Sequence, residues 1–249
     1  VDNTADVVVE ALPQAGGGIT LISTASDGVQ GNADSFSLAF SANGNKVVFQ
    51  SEASNLVAGD NNGARDIFVK DLTTGQTSRV NTTQDGVQAN GSSFAPMLSA
   101  DGAKVVFYSN ASNLTAGDNN GAYDIFVKDL ITGAISCISS AVGGGSANSN
   151  SYNPVLSADG AKVVFQSDAS NLVVGDNNGV RDIFIKDLTT GQISRLNSGL
   201  AGQEANNVSY GPMLSADGGK VVFCSSASNL VAGDINGVSD VFVKDLASG

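Results

Sequence analysis

Two short apolar runs recur along the chain at a fixed spacing, and they carry most of what the pattern of hydrophobic and polar positions predicts. The first is Lys-Val-Val-Phe, at Lys46 to Phe49, Lys104 to Phe107, Lys162 to Phe165 and Lys220 to Phe223. The second is Asp-Ile-Phe-Val or a close variant, beginning at Asp66, Asp124, Asp182 and Asp240. Both repeat every 58 residues without an insertion. A period of this size belongs to small modules set in a ring or array, none of which buries its apolar faces alone. Within each run the apolar residues are consecutive rather than alternating, which predicts strands covered on both faces.

Residues 77 to 134 show how one unit is built. A strand-like stretch at Thr77 to Asn81 leads into a polar, glycine-bearing connection, and a second strand follows at Phe94 to Ser99. The Asp101-Gly102 pair suits positive backbone angles and predicts a tight turn, so Lys104 to Ser109 returns as a hairpin partner. A long connection then reaches the last strand at Asp124 to Leu130, and a short Thr-Gly turn opens the next unit. Four antiparallel strands per unit, repeated in tandem, predict the blades of an all-β propeller. The aromatic residues Phe36, Phe94, Tyr152 and Tyr210 open the inner strand of each unit, where packing between blades is expected; sugar stacking is the alternative.

The phase of the units carries an expectation about closure. Units begin at 19, 77, 135 and 193, giving a propeller domain over 19–249 and an N-terminal extension over 1–18. The fourth unit stops at Gly249, aligned with Gly75, Gly133 and Gly191, and lacks the outer strand that opens each following unit. Ile19 to Ser23 is expected to supply it, closing a ring of four four-stranded blades. Asp6 to Leu12, which reads Asp-Val-Val-Val-Glu-Ala-Leu, echoes the third strand and is then surplus. It is expected to pair with a protein partner or a second copy by strand addition. A segment of a larger propeller is the alternative to the closed ring.

The pairing of Ser-Ala-Asp-Gly-Ala-Lys-Val-Val-Phe at Ser99 to Phe107 with Asp-Ile-Phe-Val-Lys-Asp-Leu at Asp124 to Leu130 resembles the WD-type repeat of TolB-like bacterial propellers. The resemblance covers residues 19 to 249. It implies a propeller fold, and a function among those such propellers serve: protein-interaction platforms, substrate gates of serine peptidases and polysaccharide lyases. The chain departs from that pattern in a long Asn-Leu-x-x-Gly-Asp-x-Asn-Gly-x-x-Asp connection, which needs its own explanation.

That connection is nearly constant across the four units, whereas the loop before the inner strand has drifted freely. The retained side chains are Asp60, Asn62 and Asp66; Asp118, Asn120 and Asp124; Asp176, Asn178 and Asp182; and Asp234, Asn236 and Asp240. Two explanations compete. Calcium takes several oxygen ligands from a glycine-containing loop, and each set offers three side chains as candidate metal ligands. The structural alternative is a turn in which Asn62-Gly63 adopts positive backbone angles and the aspartates accept backbone N–H bonds. Both long connections fall on one face of a propeller, so any site is expected there.

Composition narrows the function classes. A formal charge of −12 argues against unaided binding of nucleic acid or an anionic membrane and is compatible with cations. No apolar run approaches the ~18 residues of a membrane span, and no charged-then-apolar signal segment opens the chain, as in a mature or trimmed form. Cys137 aligns with Arg79 and Arg195, and Cys224 with Gln50, Tyr108 and Gln166, so free thiols are expected rather than a repeated disulfide. The chain has no histidine, which excludes Ser-His-Asp and Cys-His arrangements. Most aspartates recur in every unit, and active sites are rarely fourfold. The leading expectation is a non-catalytic extracellular, cell-surface or periplasmic propeller that serves as a structural or protein-interaction module, with calcium as its stabilising ion. The alternatives are a multivalent carbohydrate-binding lectin, with glycan as partner, and an enzyme or the gating domain of one.

Overall fold

A computed structural model describes residues 18–199 and 202–247; Asp6 to Leu12 lies outside them. Fifteen strands form four antiparallel sheets in chain order, with no α-helix among the described residues. Blade 1 holds β1 (Ser35–Phe40), β2 (Lys46–Ser51), β3 (Asp66–Asp71) and β4 (Thr77–Arg79). Blade 2 holds β5 (Ser93–Leu98), β6 (Lys104–Ser109), β7 (Asp124–Asp129) and β8 (Ile135–Cys137). Blade 3 holds β9 (Ser151–Leu156), β10 (Lys162–Ser167), β11 (Asp182–Asp187) and β12 (Ile193–Arg195). Blade 4 holds β13 (Ser209–Leu214), β14 (Lys220–Ser225) and β15 (Asp240–Asp245).

Local chemistry sets each hairpin. Ser99 Oγ accepts the Lys104 N–H at 2.9 Å and donates to Asp101 Oδ1, which in turn accepts the Ala103 N–H at 2.9 Å. Gly102 completes this turn at φ +67°, close to where a β-carbon would meet Ser41 of the preceding blade. The central strands then pair without a break, Val105 opposite Lys128 and Phe107 opposite Phe126. The inner strand does not. Its register slips between Phe94 and Met97, and Ala95 stands at φ +48°, as do Ser37 and Asn153 nearby in value and Gly211 at +63°. Such a bulge bends the strand and re-aims its residues.

The core lies between blades rather than within them. Val48 and Ile67 of blade 1 pack with Val105 and Phe107 of blade 2. Val106 and Ile125 of blade 2 pack with Val163 and Phe165 of blade 3, and Val164 and Ile183 with Val221 and Phe223 of blade 4. Each fully buried side chain of this size contributes about 1.5–3 kcal/mol before ordering entropy is subtracted. Polar links run along the same joints. Lys46 Nζ donates to the Gly102 carbonyl and Lys104 Nζ to that of Gly160, both at 2.9 Å, and the Ala100 N–H reaches Ala158 across the joint. Lys46 and Lys104 are therefore clips between neighbouring blades.

The expected closure is not found among the described residues. Ile19 to Ser23 forms no strand, and the fourth sheet ends at β15 with three strands. The physical reason is the placement of the ends: β1 packs beside β5, β5 beside β9 and β9 beside β13, but no comparable packing joins β13 to β1. Ile22 instead lies against Val47, Phe49 and Phe68 on the outward side of blade 1. Among the described residues the four blades form an open arc.

Candidate functional site

The two long connections of each unit interlock on one face, as their lengths predicted. Asn62 Nδ2 donates to the Ala89 carbonyl at 3.0 Å, and Arg65 N–H reaches Ser92 Oγ at 3.3 Å. Inside the retained loop Asn62 acts as a turn former: its Oδ1 accepts the Ala64 N–H at 2.9 Å, Gly63 sits at φ +64°, and its Nδ2 also donates to Asp66. The same bonds recur through Asn120, Asn178 and Asn236. The residue between Asp and Asn donates its backbone N–H to Gln88, Ser146 and Glu204 in blades 1 to 3, a bond that asks for no particular side chain, which is why Ile235 is tolerated in blade 4.

Burial brings the two aspartates of each loop toward one another, and the outer strand decides what stands between them. In blade 1 this is Arg79 on β4: its Nη1 lies 3.2 Å from Asp60 and 3.0 Å from Asp66, and it donates to Gln88 Oε1 at 2.7 Å. Blade 3 repeats the arrangement, with Arg195 Nη1 at 3.1 Å from Asp176, 3.6 Å from Asp182 and 2.8 Å from Glu204. Desolvation and Asp66 raise the Asp60 carboxyl above its ordinary value, against the pull of Arg79. Asp176 is pushed up to about 6 by burial and by Asp182, again opposed by the guanidinium. A third residue of the outer strand's exit completes the cradle: Asn81 Nδ2 donates to Asp66 Oδ1 at 2.6 Å, and Asn197 to Asp182 at 2.6 Å.

Blade 2 keeps the aspartates and changes everything around them. Cys137 replaces the arginine, Ser139 the asparagine and Ser146 the glutamine or glutamate. Ser139 Oγ donates to Asp124 Oδ1 at 2.6 Å, while Ser146 turns to the Gly117 carbonyl at 2.9 Å. The shorter side chains leave a cavity of about 300 Å³ lined by Asp118, Asp124, Cys137, Ser140 and Ser146. Burial and Asp124 push Asp118 up to about 6. Burial, reinforced by Asp124, pushes the Cys137 thiol up to about 12, which favours the protonated form at neutral pH. In blade 4, Asp234 and Asp240 have no outer strand beside them among the described residues.

The predicted calcium sets meet this geometry unevenly. Around Asp60, Asn62 and Asp66, and around Asp176, Asn178 and Asp182, a guanidinium nitrogen holds the place between the carboxylates and the asparagine presents its amide nitrogen. Three oxygen ligands therefore do not converge in these two loops. Among the described residues no group of three or more His, Cys, Asp or Glu side chains is arranged around a metal. The arginine partners were missed from the sequence, although the alignment of Cys137 with Arg79 and Arg195 marked their position.

Of the four aromatic residues expected between blades, Phe94 and Tyr152 enter one aromatic cluster, whereas Phe36 meets the Arg65 guanidinium and Tyr210 bonds Ser239. Phe94 stacks on Tyr108 at 5.2 Å, Tyr152 meets both Tyr108 and Tyr123 at 5.8 Å, and Arg65 lies over the Phe36 and Phe94 rings. Gln50 reaches across from blade 1 to accept the Ala95 N–H at the bulge, and Gln166 does the same for Gly211. Cys137 and Cys224 are free thiols, as their unequal repeat positions predicted.

Tandem four-stranded antiparallel sheets with their core between sheets define a β-propeller, and solved structures agree on its kind. TolB from Acinetobacter baumannii superposes with a TM-score of 0.51 at 21% identity, over 87% of this chain and 42% of that one. The tricorn protease gives 0.50 at 17% identity, over 81% and 17%, and a prolyl endopeptidase 0.50 at 13%, over 86% and 28%. Likeness at this level of identity shows a β-propeller fold, and the chain spans less than half the length of each of these proteins. Two of the three are named as peptidases, so the fold alone does not assign catalysis. No protein-family model and no curated protein sequence matches the chain.

Proposed function

We propose that the chain is a non-catalytic part of an extracellular, cell-surface or periplasmic propeller that acts as a structural and protein-interaction module, and that its arc is completed by blades of the same repeat type at both ends. The observation that carries this is the exposure of the two end faces. Val241 is 76% exposed and Val243 65%, whereas the residues at the same positions of blade 1, Ile67 and Val69, are 0% and 7% exposed against blade 2. At the other end Leu38 and Phe40 stand in the open beside a cavity of about 340 Å³, while Leu98 and Leu156, which align with Phe40, are buried. Lys220 makes the same point in polar terms. With no following blade to offer a glycine carbonyl, its ammonium turns back onto Asp245 at 2.5 Å.

A surface of this pattern fits another blade, because the interior joints display the matching face four strands wide. The blade comes from a second copy joined head to tail, or from blade 4 meeting blade 1 in a closed four-bladed ring. A head-to-tail joint closes when its rotation completes a circle. Sedimentation with and without residues 1 to 18 separates these sources. A multiple of the single-chain mass that survives removal of 1 to 18 supports blade-on-blade assembly, and loss of the multiple on that removal assigns it to strand addition through Asp6 to Leu12. A monomer with both end faces protected from hydrogen exchange means the closed ring; a monomer with both open sinks the proposal. Calcium belongs to the same reading only at the loops of Asp118 and Asp234, where no arginine enters. Equal melting midpoints in calcium and in chelator would remove it.

A further inference from the structure

The loop of blade 2 differs from those of blades 1 and 3 by coordinated shrinkage at three separate positions. Arginine becomes Cys137, asparagine becomes Ser139, and glutamine or glutamate becomes Ser146, while both aspartates and the loop that carries them are kept. A single drifted residue would leave a crowded or partly filled site. Three reductions converging on one place leave a continuous cavity of about 300 Å³ that opens beside Gly117 and Gly145 at the surface of the loop face.

Blades 1 and 3 show what this place accepts. There the same pair of carboxylates grips a guanidinium nitrogen at 3.0 to 3.6 Å, supplied from within the chain. In blade 2 the pair has the same backbone setting: Asn120 bonds Asp124 as Asn62 bonds Asp66, and the glycines of the loop keep their positive φ. No cationic side chain forms an ion pair with Asp118 or Asp124 among the described residues, and the group rising from the outer strand is a neutral thiol. The geometry points to a binding site for an external guanidinium group between Asp118 and Asp124, taken either as a small guanidinium compound or as an arginine side chain of a partner. Guanidinium is the cation that the equivalent carboxylates hold in blades 1 and 3, where Nη1 lies against both of them and also reaches Gln88 or Glu204. The site stands independently of how the arc's ends are covered.

The test uses the full chain and four probes: agmatine, putrescine as its ammonium counterpart, calcium, and a short arginine-bearing peptide. Agmatine at about 10 mM is expected to raise the melting midpoint by roughly 2–4 °C, with putrescine giving less than half of that. A shift with the peptide at lower concentration than agmatine identifies a protein partner as the source; a shift with agmatine alone identifies a small compound. Cys137→Arg combined with Ser146→Gln rebuilds the arrangement of blade 1 and is expected to fold, melt higher and lose the agmatine response. Asp118→Asn leaves the cavity open and is expected to weaken binding at least tenfold, read by calorimetry, and this variant covers the case in which the rebuilt site fails to fold. No response to agmatine or the peptide, a calcium response without either, or an agmatine response unchanged in both variants overturns the proposal.

Discussion

Strands β6 and β7 of blade 2 and strands β14 and β15 of blade 4 carry almost the same residues and live in different surroundings. Val106, Ile125 and Val127 pack into the joint with blade 3, while Val222, Val241 and Val243 face outward with nothing described against them. The repeat therefore encodes a blade with two apolar faces wherever it occurs, and burial is granted by the neighbour. The loops differ in the same sense. The aspartates of blade 2 meet an outer strand that brings a thiol, those of blades 1 and 3 meet one that brings a guanidinium, and those of blade 4 meet none among the described residues. The difference teaches that the retained loop is half of a site and that the outer strand chooses its use.

The largest effect separates the interior joint from the end face. Ile125→Ala is expected to cost about 2–5 kcal/mol at any protein concentration, since the side chain is fully buried inside one chain. Val241→Ala is expected to cost almost nothing in dilute solution and progressively more as concentration rises and the end face finds a blade. Denaturant titration at two concentrations checks both. A concentration-independent cost for Val241 as large as that for Ile125 would mean that the face is already covered within the chain.

Next comes Arg79→Cys, which turns the loop of blade 1 into the likeness of blade 2. Removing one partner of a buried ionic group leaves Asp60 and Asp66 uncompensated, and a loss of about 2–3 kcal/mol is expected, less than for a sealed core because the loops reach solvent. Thermal melts read the loss directly. Partial recovery on adding agmatine would show that the opened place takes an external guanidinium as blade 2 does.

The strands and the tight turns were legible because they depend on neighbours in sequence. Ser99, Asp101, Gly102 and Lys104 close their turn through bonds that span five residues at most, and Val105 to Phe107 show their two buried faces by being consecutive. Leu56, Leu114 and Leu172 are buried at the start of their loops. Closure was not legible, since it depends on the angle between successive blades, a sum of many side-chain contacts such as Val48 on Val105. The loop site was read by half: the Asp, Asn and Gly pattern lies in one segment, but Arg79 arrives from the next strand of the chain. Nothing in Ser37, Ala95 or Asn153 announces a left-handed backbone, and only Gly211 hinted at it.

That bulge supplies a smaller contrast between the same two blades. Ala95 in blade 2 and Gly211 in blade 4 hold φ +48° and +63° at equivalent places. A residue with a β-carbon is strained there, so Ala95→Gly is expected to gain up to about 1 kcal/mol, and Gly211→Ala to lose a similar amount. Equal and opposite shifts in denaturant midpoint would show that the bulge is scaffold in both blades. A gain at Ala95 without a loss at Gly211 would mean that blade 4, open on one side, relaxes where blade 2 cannot.

The smallest effect lies in the pH dependence of the empty loop. Asp118 is faced by Asp124 on β7 and by the protonated thiol of Cys137 on β8, with no cation beside it, and its carboxyl is raised from the ordinary 3.8 to about 6. The folded chain therefore holds a proton on Asp118 that the unfolded chain has already lost between these values, so folding stability falls as pH rises from about 4 through about 6. Asp118→Asn cannot ionise and is expected to melt about 1–2 °C above the parent at pH 7, with the gap closing near pH 4. Blade 3 is the comparison: Asp176 is raised as far even with Arg195 beside it, so Asp176→Asn gains the same relief at pH 7 but also removes a partner of Arg195, and a smaller rise than that of Asp118→Asn is expected. If the two rises are equal, the cysteine and the arginine make no difference to the carboxylates they face, and the distinction between filled and empty loops fails with them.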